Sequence, residues 1–447
     1  HEADSMLENA DSLAGHRRDN TDTFTITIDP TDARDFDDAV SLERVKGAHG
    51  DSRLRLSVHI ADVTSYVEWG SAIDRDARKR GTSVYLADRV IPMLPERISN
   101  DLCSLVPGKP RRAFTVEAIL DGDGRVLSAN MYPSTIRSSA RLSYEQADCY
   151  IRAAHKGLTA RDAREAAARC PHPEGALDID DATSDRLFTM LADFFRIARK
   201  LAEHRKEEGA IRFSHPEAHV LLDDKGVAVG VDVRRETPAT SSIEQAMVLA
   251  NRIVARTLDR SGLPSIYRVH GAPKRSSLEH LLPVLQEVGV THGIDIDEFC
   301  AGSPFAIQQV LDRSRGTNDE ELVSSLVLRA MKRAEYADAC LGHFGLGAQY
   351  YCHFTSPIRR YPDLEVHRML KMRLFGRDGT FSAQESHMAQ IAEHCSEMER
   401  IADDAELEST QIKLVQYMQG FVGKTFDGIV SGVSRAGVFV TLQNAAE

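Results

Sequence analysis

The sequence predicts a mixed α/β (α+β) fold, and three observations carry that expectation. Apolar and polar residues alternate with period 2 through much of the stretch from Phe24 to Met131, the pattern of half-buried strands. From about Thr183 a helical stripe of Leu187, Met190, Leu191, Phe194, Ile197 and Leu201 replaces it. Strand-like alternation then returns in the last residues of the chain.

Taken in order, the expected strands are Phe24–Asp29, Ala39–Val45, Leu54–Ile60, Phe114–Leu120 and Val126–Met131, with Asp121-Gly122-Asp123-Gly124 turning the last pair. Gly209 is placed to end the helix that follows. A hairpin of Val220–Leu222 and Val227–Val233 turns through Asp223-Asp224-Lys225-Gly226. Helices are expected over Ser242–Ser261, Ser277–Val288 and Glu320–Tyr336. Pro362, followed by Asp363 and Glu365, marks another helix start. A long polar helix is expected from Ser382 to about Met418, and Val422–Ile429 with Gly437–Leu442 read as final strands.

Composition narrows the class. With 447 residues, 42% hydrophobic and 27% charged, the chain reads as a globular enzyme rather than a membrane protein. The seven cysteines stand singly without a C-x-x-C pair, which suits reduced thiols in a cytoplasmic protein. A net charge of −12 argues against a protein that coats DNA indiscriminately. It leaves room for an enzyme whose positive charge is local, with Arg359, Arg360, Arg368, Lys371 and Arg373 as candidates. His1 to Thr21 is polar and reads as a linker.

The most informative stretch joins the first two strands. Asp29-Pro30 starts a turn, and Asp32, Asp35, Asp37 and Asp38 follow at once. Carboxylates crowded this closely repel one another unless cations sit among them. Oxygen-only donors select hard ions such as magnesium. The plain alternative is a solvated acidic loop whose aspartates cap turns. A calcium loop of the EF-hand type fits poorly, because the required glycine and distal glutamate are out of register.

Ile28-Asp29 with Asp32-Ala33-Arg34-Asp35-Phe36-Asp37-Asp38-Ala39 closely resembles the signature of the exoribonuclease II family (the RNB catalytic domain), especially its ribonuclease R branch. Further blocks occur in the family's order. They are Ile91-Pro92-Met93-Leu94-Pro95 with Ser99–Leu105, Ile243–Met247 with Leu249-Ala250-Asn251, Tyr267-Arg268-Val269-His270, and His353–Leu364 running on to His367-Arg368. The resemblance implies curved sheets flanked by helices around a channel, a catalytic domain over residues 22–418 and the beginning of an OB-fold RNA-binding barrel over 419–447. The family's upstream cold-shock domains have no counterpart in this sequence.

The resemblance further implies a processive, hydrolytic 3′→5′ exoribonuclease that uses Mg2+, with Mn2+ the alternative and two ions acting together. Asp29, Asp35 and Asp38 would hold metal, and Asp37 would serve the chemistry. Arg359 would be the transition-state cation, since a guanidinium matches two phosphoryl oxygens and keeps its proton. Arg360 is its rival, because spacing cannot rank adjacent residues. Tyr85 matches a tyrosine that stacks on the terminal base, with Phe213 the other side of the clamp and Tyr361 lining the channel. Glu244 and Glu406 would meet the hydroxyls of the 3′ end, Glu399 competing with Glu406. His270 and His367 read as structural or phosphate contacts rather than metal ligands. The expected partner is single-stranded RNA with a free 3′ end. A monomer is expected, with association with RNA-degradation or ribosome machinery. A silent RNA-binding relative, another phosphohydrolase and a scaffold subunit are the competing classes.

Overall fold

The structure, a computed structural model, describes residues 13–47, 50–213, 217–376, 387–434 and 437–442. Its centre is a closed barrel. Strands β1 (Arg18–Asp29), β2 (Asp38–Lys46) and β3 (Ser52–Ala61) precede the short pair β4 (Val84–Tyr85) and β5 (Val90–Ile91). Strands β6 (Pro110–Leu120) and β7 (Val126–Ser143) complete the barrel in the order β1-β2-β3-β6-β7. Neighbours are antiparallel except β7 and β1, which run parallel. Closure depends on β7. Its first part pairs with β6 as far as Arg137, and its second pairs with β1 from Ser134 to Ser143.

The β6–β7 turn forms as expected, Asp121 Oδ1 accepting the N–H groups of Asp123 and Arg125 at 3.0 and 2.9 Å. The sequence reading stops β7 at Met131, two residues before Pro133. The structure carries the strand through that proline, which faces Phe114 in the ladder. It also begins β1 at Arg18, so the boundary placed at residue 22 falls inside a strand. Residues 1–12 of the expected linker lie outside the described residues.

A line of hydrogen bonds crosses the barrel with one side chain from each strand. Thr25 Oγ1 meets Ser41 Oγ at 2.8 Å, and Ser41 Oγ meets His59 Nε2 at 2.8 Å. His59 Nδ1 meets Thr115 Oγ1 at 2.8 Å, and Thr115 Oγ1 meets Ser134 Oγ at 2.7 Å. All five residues are buried. Such groups are costly unless each finds a partner, and this line partners them across every strand junction except β7–β1.

Helices surround the barrel. They are α1 (Ala72–Arg80), α2 (Tyr144–His155), α3 (Ala160–Ala167), α4 (Asp181–Glu207) and, after the hairpin β8 (Glu217–Leu222)–β9 (Ala228–Arg234), α5 (Pro238–Ser261). Ser143, Thr159 and Thr237 open α2, α3 and α5 with capping boxes. Strand β10 (Tyr267–Val269) pairs with β11 (Glu335–Ala337). Between them lie α6 (Arg275–Glu279), α7 (Leu282–Glu287), α8 (Ile296–Cys300), α9 (Pro304–Ser314) and α10 (Glu320–Ala330). These helices share a second core of Leu278, Leu285, Phe299, Ile307, Val310 and Val323. Helices α11 (Tyr361–Phe375) and α12 (Met388–Gln419) and the hairpin β12 (Gly428–Ser434)–β13 (Gly437–Leu442) follow.

Three expectations change. The helix over 277–288 is two short helices, with Pro283 at the start of the second. The helix over 320–336 ends at Ala330, because Tyr336 is taken into β11 opposite Arg268. The penultimate strand starts at Gly428 rather than Val422, and hairpin β12–β13 is as much of the expected C-terminal barrel as the described residues contain. Residues 382–386 of the expected last helix lie outside the described residues. No helix among the described residues is long and apolar enough to cross a membrane.

The hydrogen-bonded line makes a pH prediction. Burial pulls the His59 imidazole down to about 3, whereas an exposed histidine titrates near ~6.5. Below that value the unfolded chain binds the extra proton, so stability falls as pH drops from about 6.5 toward 3. Urea unfolding between about pH 7 and 5 should show that His59→Gln lacks this share of the slope, which approaches ~1.4 kcal/mol per pH unit.

Candidate active site

The barrel presents the aspartates at one rim. Asp29 ends β1 and Asp38 begins β2, so Asp35 and Asp37 ride on the connection between them. The connection is held by groups that the sequence reading missed. Phe36 N–H donates to Ser104 Oγ at 3.0 Å, and that hydroxyl donates to Arg34 O at 2.7 Å. The Arg141 guanidinium donates to Thr31 O at 3.0 Å, to Ala33 O at 2.7 Å and to Glu174 O, and lies 4.4 Å from the centre of the Phe36 ring. The signal for Arg141 was a lone charge in the small and apolar run Ser138–Ser143. Its meaning required the β7–β1 register, which sets Ser143 opposite Asp29.

The opposite wall comes from the far end of the chain. Asp37 Oδ1 accepts the Ile358 N–H at 2.8 Å, and Arg359 Nε lies 3.8 Å from Asp37 Oδ2. Arg359 Nη2 also donates to Ser356 Oγ at 3.1 Å, while its side chain stays 42% exposed. Arg359 O accepts from Ser83 N–H at 2.9 Å, and Gly81 O accepts from Tyr361 N–H at 2.9 Å. These bonds clip the 81–83 turn beside the site, two residues from Tyr85. Gly81 has φ +71°, and a Cβ there would sit 2.8 Å from Met398 Cβ, so only glycine lets α12 approach this turn. Tyr85 donates its hydroxyl to Asp35 Oδ2 at 3.3 Å.

The rim is electrostatically unsettled. Burial, then the charge of Asp38, pushes the Asp29 carboxyl well up, and Asp29 Oδ2 is a buried oxygen without a hydrogen-bond partner. Burial raises Asp38 to about 6 against the pull of Arg359. It also raises Asp37 well above the usual carboxylate range and lifts Asp35. Tyr144, which opens α2, is pushed up by burial and then by Asp38 and Asp29.

These features fit a hard cation. The donors are oxygens only, one is unpaired, and their mutual repulsion is what a cation relieves. Among the described residues no three His, Cys, Asp or Glu side chains already converge as a cage. Magnesium keeps much of its water and needs only one or two carboxylates.

The remaining candidates divide. Arg360 points inward, its pair with Asp363 at 2.8 Å leaving 16% of its side chain exposed; burial pulls its pKa down, and Asp363 together with Tyr336 and Tyr351 more than offsets that and holds it up. Tyr361, expected to line a channel, is fully buried and donates to Asp74 Oδ1 at 2.9 Å. Arg368 and Lys371 are spent on Asp74 and Asp62 at 2.7 and 2.5 Å. Each of the four spends a polar end on a buried acid inside the fold. Phe213 and Glu244 line a separate groove of about 630 Å³ whose walls include none of the four aspartates, and Arg205 donates to Glu244 at 3.0 Å. Glu399 is held by Arg268 at 2.6 Å. Glu406 is exposed on α12, three residues before Ser409, whose hydroxyl accepts the Ala87 N–H at 3.1 Å. That helix face therefore approaches the Tyr85 segment. The His270 ring spans Lys332 O and the Gly345 N–H, and the buried His367 ring stacks on Phe354.

A closed barrel carrying an acidic rim, with an arginine from a distant turn closing it, defines the class of protein. The RNB domain family matches residues 17–376, and the chain belongs to that family. It is 38% identical over 440 residues to ribonuclease R of Thermotoga maritima, covering 95% of this chain and 56% of that protein. It is 37% identical to ribonuclease R of Aquifex aeolicus, covering 96% and 56%. Mycoplasma genitalium RNase R in complex with ribose methylated single-stranded RNA superposes with a TM-score of 0.86 at 28% identity, covering 100% of this chain and 66% of that one. The chain spans little more than half the length of the two curated relatives.

The two adjacent arginines should separate by stability. Arg360→Ala leaves Asp363 buried without its partner and should cost ~3–5 kcal/mol in urea unfolding. Arg359→Ala should stay within about 1 kcal/mol of the parent.

Proposed function

We propose that the chain carries the catalytic unit of a processive, hydrolytic, metal-dependent 3′→5′ exoribonuclease, releasing nucleoside 5′-monophosphates from single-stranded RNA. The observation that carries the proposal is the rim of four buried or half-buried carboxylates closed by Arg359. The RNA-bound relative supports the choice of substrate. Magnesium, or manganese in its place, held by Asp29, Asp35 and Asp38, would supply charge relief on the phosphoryl oxygens and a more acidic water.

The chain's own groups do the rest. Asp37, fixed by the Ile358 N–H, accepts a hydrogen bond from the attacking water and orients it. Arg359, half-exposed and always charged, binds two oxygens of the scissile phosphate. Tyr85, pinned at its hydroxyl by Asp35, offers a ring to the terminal base. Stacking of this kind is worth ~1–3 kcal/mol and tolerates any sequence. Glu406 accepts from the ribose hydroxyls of the 3′ end, a contact that favours RNA over DNA. Work as a monomer, a cytoplasmic setting and association with RNA-degradation or ribosome machinery belong to the same reading.

Digestion of a 5′-labelled single-stranded RNA tests it. With magnesium the label should pass to a short end product without intermediate bands, and EDTA should stop the reaction. Asp37→Asn should slow it by ~10²–10⁴-fold, and Arg359→Ala by ~10²–10³-fold, with RNA still bound. Persistent full-length RNA in magnesium would contradict the catalytic reading.

A further inference from the structure

The basic residues of this acidic chain are not spread evenly. A second groove, about 700 Å³ in volume, is lined by Arg125 from the β6–β7 turn, Arg205 from α4, and Arg252, Arg256 and Arg260 from α5. The last three are four residues apart, which sets them in a row along one helix face. Two acids also line the groove, and both are engaged: Glu208 with Arg252 at 2.7 Å, and Glu207 with His204 at 3.3 Å. Arg205 is taken by Glu244. Arg125, Arg256 and Arg260 are exposed and make no ion pair among the described residues. Tyr350, half-buried, adds an aromatic wall.

Arg205 and Gln245 line both this groove and the one that holds Phe213 and Glu244, so the two grooves adjoin. The acidic rim contributes no residue to either. We infer that the arginine row is a track for the phosphate backbone of RNA lying outside the catalytic rim, with Arg256 and Arg260 as phosphate contacts. A row of cations at helical repeat, beside a second groove, fits a polyanion of regular charge spacing better than a single small anion. Such contacts position a strand without reading its sequence. They suit an enzyme that must accept every sequence and would add grip on long substrates only. The inference rests on the RNA-directed function proposed above.

Fluorescence anisotropy in EDTA, which keeps the RNA intact, tests it with labelled RNAs of about 5 and about 20 nucleotides, one near the short end of ordinary single-strand sites and one beyond the long end. Arg256→Gln/Arg260→Gln keeps helix-forming residues on an exposed face. It should weaken the long RNA more than about tenfold at low salt. The salt-dependence slope should fall by about 1.4, two contacts at ~0.7 each. The advantage of long over short RNA should shrink accordingly. A matched variant elsewhere, Lys156→Gln/Arg169→Gln, makes the same change in net charge and should do neither. Unchanged affinity and slope for the arginine variant would overturn the track, as would an equal loss in the matched variant. If the parent chain binds neither RNA, the RNA-directed function fails and the track with it. If the parent binds both and the variant matches it, only the track fails.

Discussion

The hydrogen bond from Ile358 N–H to Asp37 joins two parts of the chain more than three hundred residues apart, and the site depends on it. It fixes the carboxylate that ends the acidic connection. It also sets the turn from Ser356 to Arg360 against that connection, so that Arg359 faces the rim while Arg360 turns to Asp363. The clip from the same turn to Gly81 and Ser83 brings Tyr85 to Asp35. One backbone donor thus orders the acid, the cation and the aromatic ring together.

The rim itself weakens the fold. Carboxylates driven up by burial and by one another are groups that folding has placed at a cost. The stability that offsets this cost lies below and behind the rim. The barrel closes through β7, its strands are cross-linked by the Thr25–Ser41–His59–Thr115–Ser134 line, and α11 is buried along most of its length. Arg141 secures the backbone of the acidic connection while its charge moderates Asp29. A rigid base under an unsettled rim is the arrangement expected where charge is gathered to receive a cation and a phosphate.

Much of this was legible in the sequence, and the rest was hidden for physical reasons. The acidic connection announced itself because alternation of apolar residues stops at Asp29 and resumes at Ala39, leaving the aspartates between. The five barrel strands and the helix α4 followed from period, whereas the short pair β4–β5 did not. Barrel closure did not, because it depends on a strand running through Pro133 and pairing in parallel with one more than a hundred residues earlier. Arg359 and Arg360 could not be separated on spacing, since only the turn decides which faces inward. Tyr361 was misplaced because α11 is buried on nearly every side and shows no polar face to read. Arg141 gained its meaning only from register.

On the function proposed above, the acidic rim opposes folding until a cation joins it. Urea unfolding of the parent and Asp38→Asn, each in EDTA and in magnesium, tests this directly. In EDTA the variant should be the more stable by ~0.5–2 kcal/mol, the usual scale for relieving strain at a functional site. Magnesium should stabilise the parent and reverse the order. A variant less stable than the parent in EDTA, or a parent indifferent to magnesium, would contradict the account.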